Sequence, residues 1–332
     1  RQRQRPCQAF RPRCRAQGPQ LRRDVLIRRL ETSTGFRSWR RLFAFLPALL
    51  AIAFAKTAQA EPSPRAQQLL ARHEAMQAQL AASPMGRPLT VDSEELPGGL
   101  RGEVFAVVAQ PFAQVVQGLS RPRNWCDMLL LHVNNRRCRL LEGEGGERSV
   151  ELAVVRRFDL PVESAFILKM AMRIDAASPD YLLVELGSDN GPMGTSQHRV
   201  QVEAVPLPEP GKTFLHFSYS YQHNTLARLA SQAYLATFGR HKVGFTETGQ
   251  GSNGPDYIRG LRGLVERNAV RYFFTVDAYL EAMGAPPAQQ AERRLAIWYA
   301  ATERYPRQLQ EFDRPTYLAL KRSDRSRMQG AS

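Results

Sequence analysis

The sequence predicts an α+β fold built on an antiparallel sheet, and three observations carry that prediction. Residues 149–221 hold five runs of alternating apolar side chains, separated by turn signals such as Ser178-Pro179-Asp180 and the Pro- and Gly-containing stretch 208–211. A further β-rich run, 104–109, precedes them, with two short amphipathic helices between. The last third of the chain is periodic at 3.6 residues instead of two.

Each element follows from local chemistry. Residues 63–83 read as a helix, with Leu69, Leu70, His73, Met76 and Leu80 near one face. Residues 83–102, containing Pro and Gly, read as a linker. The 104–109 strand is stopped by Pro111, residues 112–119 form a short helix, Ser120-Arg121-Pro122 breaks it, and 124–133 form a second helix containing Trp125, Met128 and Leu131. Strands follow at 149–158, 165–174, 181–186, 198–205 and 213–221. The second alternates Phe166, Leu168, Met170, Met172 and Ile174, and the last sets Leu215, Phe217, Tyr219 and Tyr221 on one face.

Asn224 and Gly239 bracket a helix through Leu226, Leu229, Ala233 and Leu235. The longest helix spans 256–283, with Ile258, Leu261, Val265, Tyr272, Val276, Leu280 and Met283 on one face and Arg259, Arg262, Glu266, Arg267 and Arg271 on or near the other. Pro286-Pro287 ends it, 288–305 form another helix around Leu295 and Trp298, and the polar tail from Lys321 is expected to fray.

Residues 40–60, RRLFAFLPALLAIAFAKTAQA, read as an export signal. Arg40 and Arg41 supply a positive start, 42–55 an uncharged apolar run, and Ala58-Gln59-Ala60 the small-x-small pattern for cleavage after Ala60. The apolar run is shorter than the roughly 20 residues of a comfortable membrane crossing. Trp39 and Ala44 depart from a twin-arginine motif, which favours the general secretory route. The expected location is periplasmic or secreted. Residues 1–39, rich in Arg, Gln and Pro and upstream of the first methionine, Met76, read as untranslated or as a disordered basic tail.

That division changes the meaning of the charge. The chain carries a formal +15, but residues 1–60 hold 14 basic and two acidic residues, so 61–332 carry 32 basic against 29 acidic residues. The basic excess lies almost wholly in the export region, and nucleic-acid binding loses its main support.

Of four cysteines, Cys7 and Cys14 precede the signal, leaving Cys126 and Cys138 as a single pair in a compartment that permits a disulfide, with two free thiols as the alternative. The six histidines show no metal-ligand spacing, and no metal or cofactor is expected. Gly249–Gly254 satisfies GxGxxG, but the position about 20 residues on lies in the long helix, where Asp277 sits, so the segment reads as a mobile loop that serves as a lid. Asn134-Asn135-Arg136-Arg137 reads as a solvated basic turn that, with Arg139, offers at most peripheral membrane contact.

The segment EVFAVVAQPFAQVVQGLSRPRNWCDMLLLHVN, at 103–134, and the element order after it resemble the START-like, helix-grip (SRPBCC) superfamily over residues 101–283, and a group of exported bacterial START-like proteins in particular. The resemblance implies a sheet curled around a long helix, an apolar cavity for lipids or similar small molecules, and no catalytic motif. The helix at 225–239 and the segment 241–255 depart from the family order, leaving open which helix is gripped. The implied organisation is 1–39 basic segment, 40–60 signal, 61–100 N-terminal helix and linker, 101–283 START-like domain, and 284–332 helical extension and tail.

Candidate ligand-binding residues are Trp125, Phe166, Met170, Met172, Leu215, Phe217, Tyr219 and Tyr221. Methionines and aromatics adapt to varied apolar ligands and tyrosine hydroxyls orient a polar head, although the same side chains equally fill a core. Three functions follow: an exported binding or transfer protein for an apolar, lipid-like molecule; a cell-envelope interaction protein with a filled core; and a cyclase- or hydrolase-type enzyme in the same fold.

Overall fold

The structure is a computed structural model and describes residues 62–237, 239–252 and 254–330. The expected basic segment 1–39 and export signal 40–60 lie outside the described residues.

Eight strands form one antiparallel sheet: β1 (Leu89–Leu96), β2 (Gly99–Val108), β3 (Asn135–Glu142), β4 (Arg148–Val154), β5 (Phe166–Ser178), β6 (Tyr181–Asn190), β7 (Thr195–Pro206) and β8 (Thr213–His223). Their order is β1-β2-β8-β7-β6-β5-β4-β3. The last strand thus returns beside the second, so that β3–β8 run as a meander from one edge. Helices α2 (Phe112–Leu119) and α3 (Pro122–Leu129) connect β2 to β3.

One face of this sheet is laid on the long helix α5 (Gly260–Ala282). Every strand contributes to that core, from Leu89 of β1 and Val104 of β2 to Cys138 of β3 and Phe217 of β8, around Val270, Phe273 and Phe274 of α5. A sheet wrapped on one long helix is the helix-grip arrangement, and α5 is the gripped helix. Gly102 sets the close approach. A Cβ there would stand 3.0 Å from Val265 O and 3.1 Å from Ala269 Cβ, so the helix rests directly on β2.

The other face is also apolar at its centre. Helix α1 (Pro64–Ala81) covers Phe105, Tyr181, Leu183, Val205 and Phe214 with Ala66, Leu69, Met76 and Leu80. Ser63 starts α1 by accepting from Ala66 N at 3.3 Å. Covering both faces explains the unbroken run Thr213-Phe214-Leu215 in β8, which blurs strict alternation.

The expected linker contains β1, paired residue for residue with β2 from Leu89↔Ala106 to Leu96↔Gly99. The polar Asp92, Ser93, Glu94 and Glu95 hide this strand from a composition test because it is an edge strand. Likewise, Asn134–Arg137 is not a solvated turn. Arg136 is buried in β3, where its Nε meets both oxygens of Asp324 at 2.9 and 3.1 Å.

The tail is also ordered differently from expectation. Helices α6 (Pro287–Glu303), α7 (Pro306–Leu309) and α8 (Arg314–Gln329) pack beyond α5. Tyr317 donates to Leu131 O at 3.0 Å, Trp298 Nε1 donates to Arg271 O at 3.2 Å, and Tyr317, Lys321 and Asp324 are buried. This annex buries the supposedly polar side of α5. Arg267 and Arg271 are buried against Glu311, at 2.6 and 3.1 Å, and Glu266 accepts from Ser93, Thr246 and two backbone amides. Paired, these charges read in sequence like a solvated stripe.

Cys126 of α3 and Cys138 of β3 form a disulfide with Cα atoms 5.3 Å apart. Residues 249–251 and 254 belong to a hairpin of β9 (Glu247–Gly251) and β10 (Gly254–Tyr257), whose preceding residues 245 and 246 are anchored on Glu266, and not to the expected mobile loop.

Candidate functional site

The interior changes character along β8. Register places Leu215 beside Ala106 and Ala204, and Phe217 beside Val104 and Val202; both rows are tightly buried. The next row pairs Tyr219 with Gly102 and Val200, and continues through Leu186 to Met172. Here Tyr219 and Met172 keep part of their surface accessible, as does Tyr221 one step further. Phe166, toward the same end of β5, is 37% exposed. The grip is therefore packed through Leu215 and Phe217 and opens locally at Met172, Tyr219 and Tyr221, although Leu186, Val200, Leu100, His198 and Met170 around them are buried.

The opening is lined by aromatic and polar groups. Tyr219 lies with its ring centroid 5.5 Å from that of Tyr272 on α5 and 5.7 Å from that of Tyr221. His198 on β7 stacks on Tyr221 at 5.5 Å, and His132, after α3, stacks on Tyr272 at 4.3 Å. Tyr272 donates to Asn135 Oδ1 at 3.5 Å. Among the described residues neither the Tyr219 nor the Tyr221 hydroxyl has a hydrogen-bond partner. Neither is sealed off: both tyrosines are partly accessible, and their hydroxyls reach solvent.

All of these groups are uncharged at neutral pH. Burial, with Tyr272 and Tyr221 nearby, pushes Tyr219 well above the ordinary tyrosine value, and burial pushes Tyr221 and Tyr272 up to about 12. Burial brings His198 down to about 4, and burial together with Arg271 and Lys321 holds His132 well below the ordinary histidine value. His132 Nδ1 accepts from Asn134 N at 3.3 Å, which leaves Nε2 carrying the hydrogen without a partner among the described residues. Thr195 donates its hydroxyl to Pro192 O at 2.6 Å and accepts from His198 Nε2 at 2.8 Å, so this pair is not a nucleophile and base. The arrangement offers neutral hydrogen bonds to an apolar molecule bearing a carbonyl or hydroxyl.

The eight sequence candidates divide by burial and not by end, since Met170 lies one row beyond Met172 and is still buried. Trp125, Met170, Leu215 and Phe217 are closely packed core. Met172, Tyr219 and Tyr221 stand at the opening, and Phe166 at its rim. Sequence reasoning did not include Tyr272, His198 or His132 in the set. Tyr272 was visible on the apolar face of the long helix, but its meeting with Tyr219 depends on which helix is gripped. Lys321, pushed down to about 8 by burial, is tied to Asn135 O at 2.8 Å and to Asp324, and serves the annex.

Helix α4 (Thr225–Ala236) follows β8 directly. Asn224 accepts from Ala227 N at 2.8 Å, and its own amide donates to Gly194 O at 3.2 Å in the β6–β7 connection. Leu235 of α4 joins the same apolar cluster as Tyr219 and Tyr221, which puts α4 beside the opening.

No family model matches the chain, and no curated protein matches it. Among solved structures it is similar to norcoclaurine synthase from Thalictrum flavum, at 14% identity and a TM-score of 0.29, over 46% of this chain and 76% of that one. It is also similar to human StAR-related lipid transfer protein 5, at 12% identity and a TM-score of 0.30, over 53% of this chain and 90% of that one. A third is Ara h 8.0201, at 8% identity and a TM-score of 0.31, over 58% of this chain and 99% of that one. At these values the likenesses assign no role to any residue here.

Proposed function

We propose that the protein holds an apolar, lipid-like small molecule at the opening of the grip, between Met172, Tyr219 and Tyr221 of the sheet and Tyr272 of α5. It acts by burial and transfer, without chemistry. The observation that carries this reading is the meeting of Tyr219, Tyr221 and Tyr272 between sheet and helix, with the Tyr219 and Tyr221 hydroxyls accessible and bonded to no protein group among the described residues. A ligand carbonyl or hydroxyl would complete them while its apolar body covers Met172 and the tyrosine rings. The neutrality of His198, His132 and the three tyrosines supports an uncharged polar group on the ligand and gives no support to acid–base catalysis.

Work outside the cytoplasm is supported by the export signal read at 40–60 and by the Cys126–Cys138 disulfide. The test is titration with a fluorescent long-chain fatty alcohol. The reading expects saturable enhancement that Tyr219→Phe weakens; a flat titration in the wild-type protein overturns it and favours the filled-core interaction protein.

A further inference from the structure

Helix α4 is turned inside out. Leu226, Leu229, Ala230, Ala233 and Ala236 recur at the spacing of an apolar helix face, and all five are exposed. Leu226 and Leu229 are 76% and 58% exposed. The side that turns inward holds Ala227, Ser231 and Leu235 instead. The Asn224 cap and its bond to Gly194 O fix this orientation. A contiguous apolar patch facing outward marks a surface that something covers.

The charge around it identifies the cover. Residues 224–246 contain no Asp or Glu but carry Arg228, Arg240 and Lys242. At the end of α4, Leu235 and Ala236 border a recess of about 270 Å³ whose other walls include Arg240, Lys242 and Arg259, with no carboxylate in its lining. Glu311 binds Lys242 at 2.8 Å but also faces Arg267 and Arg271, so one carboxylate meets three cations and the recess stays positive. A second copy docking α4 on α4 would set these cations against each other. An apolar stripe bordered by cations fits the acyl boundary and phosphate layer of an anionic bilayer.

We propose that α4 and the basic recess beside it form a docking face for anionic phospholipid bilayers. Leu226 and Leu229 enter the headgroup–acyl boundary, and Arg240 and Arg259 take lipid phosphates. Because α4 follows β8 beside the opening of the grip, docking brings that opening to the membrane surface.

The test is co-sedimentation of the protein with phosphatidylcholine vesicles with and without phosphatidylglycerol. Binding is expected with phosphatidylglycerol, roughly tenfold weaker without it, and weaker as salt rises. Leu226→Ser with Leu229→Ser is expected to lower it by roughly tenfold or more, and Arg240→Gln with Arg259→Gln to remove most of its salt dependence. A Leu229→Trp variant, tolerated because the site is exposed, should shift its emission to the blue only with phosphatidylglycerol present. Absence of binding, or binding that neither pair changes, overturns the proposal. So does a dimer lost in the Leu226→Ser, Leu229→Ser protein, which would make α4 a self-association surface. Vesicle binding is read with no ligand in the grip, so its failure is distinct from failure of the ligand reading.

Discussion

Tyr219 of β8 and Tyr272 of α5 face each other across the sheet–helix interface with ring centroids 5.5 Å apart. Along β8 they mark the point at which fully packed side chains give way to partly accessible ones. Below them lie Phe217 and Leu215, fully packed; beyond them Tyr221 is partly accessible beside the buried His198. In Tyr219→Phe the ring and its packing remain and only the hydroxyl is lost. Affinity for a fluorescent fatty alcohol should fall by about fivefold to tenfold, the worth of one net hydrogen bond. The melting temperature should stay within about 2 °C of wild type, since no protein partner is left unpaired. Phe217→Ala should behave oppositely, costing about 3–5 kcal/mol of stability in a denaturant titration.

On the sheet's other face, under α1, His216 bridges two carboxylates: Nδ1 meets Glu203 at 2.8 Å and Nε2 meets Glu103 at 2.9 Å. Burial opposes its charge, but the hydrogen bonds and charges of Glu103 and Glu203 outweigh burial and raise its pKa above 6.5. The hydrogen bond from His216 lowers Glu103 below 4.5, and His216 with Tyr181 lowers Glu203 against its burial. A raised base stabilises fully below its unfolded pKa and loses that stability as pH rises through the folded one. Lowered acids stabilise above their unfolded pKa and lose it as pH falls through the folded one. The stability difference between wild type and His216→Gln should therefore be largest between pH 4.5 and 6.5, the ordinary values of the two groups, and shrink on either side. Urea titrations across that range measure it.

The disulfide joins α3 to edge strand β3 across 12 residues. Cys126→Ser with Cys138→Ser should lower unfolding free energy by about 2–3 kcal/mol, the loop-closure value for so short a span. Denaturant titrations with and without reductant should separate by the same amount for wild type and not at all for the double variant.

Asp324 is buried among Arg136, Lys321 and Arg327. Asp324→Ala leaves Arg136 and Lys321 buried without their carboxylate, and a cost of about 3–5 kcal/mol is expected. Glu292, exposed and paired with Arg322 at 2.8 Å, provides the contrast: Glu292→Ala should change stability by less than about 1 kcal/mol. Thermal melts of the two variants test the distinction.

The order of strands and helices was legible because alternation in β5 and β8 and the long periodic helix are local signals. What stayed hidden was whatever depends on partners distant in sequence. Strand β1 is polar because it lies at an edge, and only its register with β2 makes it a strand. Arg136, Arg267, Arg271 and Lys321 look solvated until Asp324 and Glu311 are placed beside them. Of the candidates on β5 and β8, Met170, Met172, Leu215, Phe217 and Tyr219 meet in the core against α5. Which of them stand at the opening is set by how far α5 fills the grip, which no single strand encodes. The outward apolar face of α4 was written plainly in Leu226, Leu229 and Ala233, and reads as an ordinary core stripe until α4 is seen to have nothing over it among the described residues.

Native mass spectrometry of the purified protein after exposure to a whole lipid extract tests the ligand reading most directly. The expected spectrum contains one discrete adduct of lipid-like mass that vanishes on denaturation and is lost in Met172→Trp, which fills the opening. A bare protein mass, with or without the extract, would contradict it.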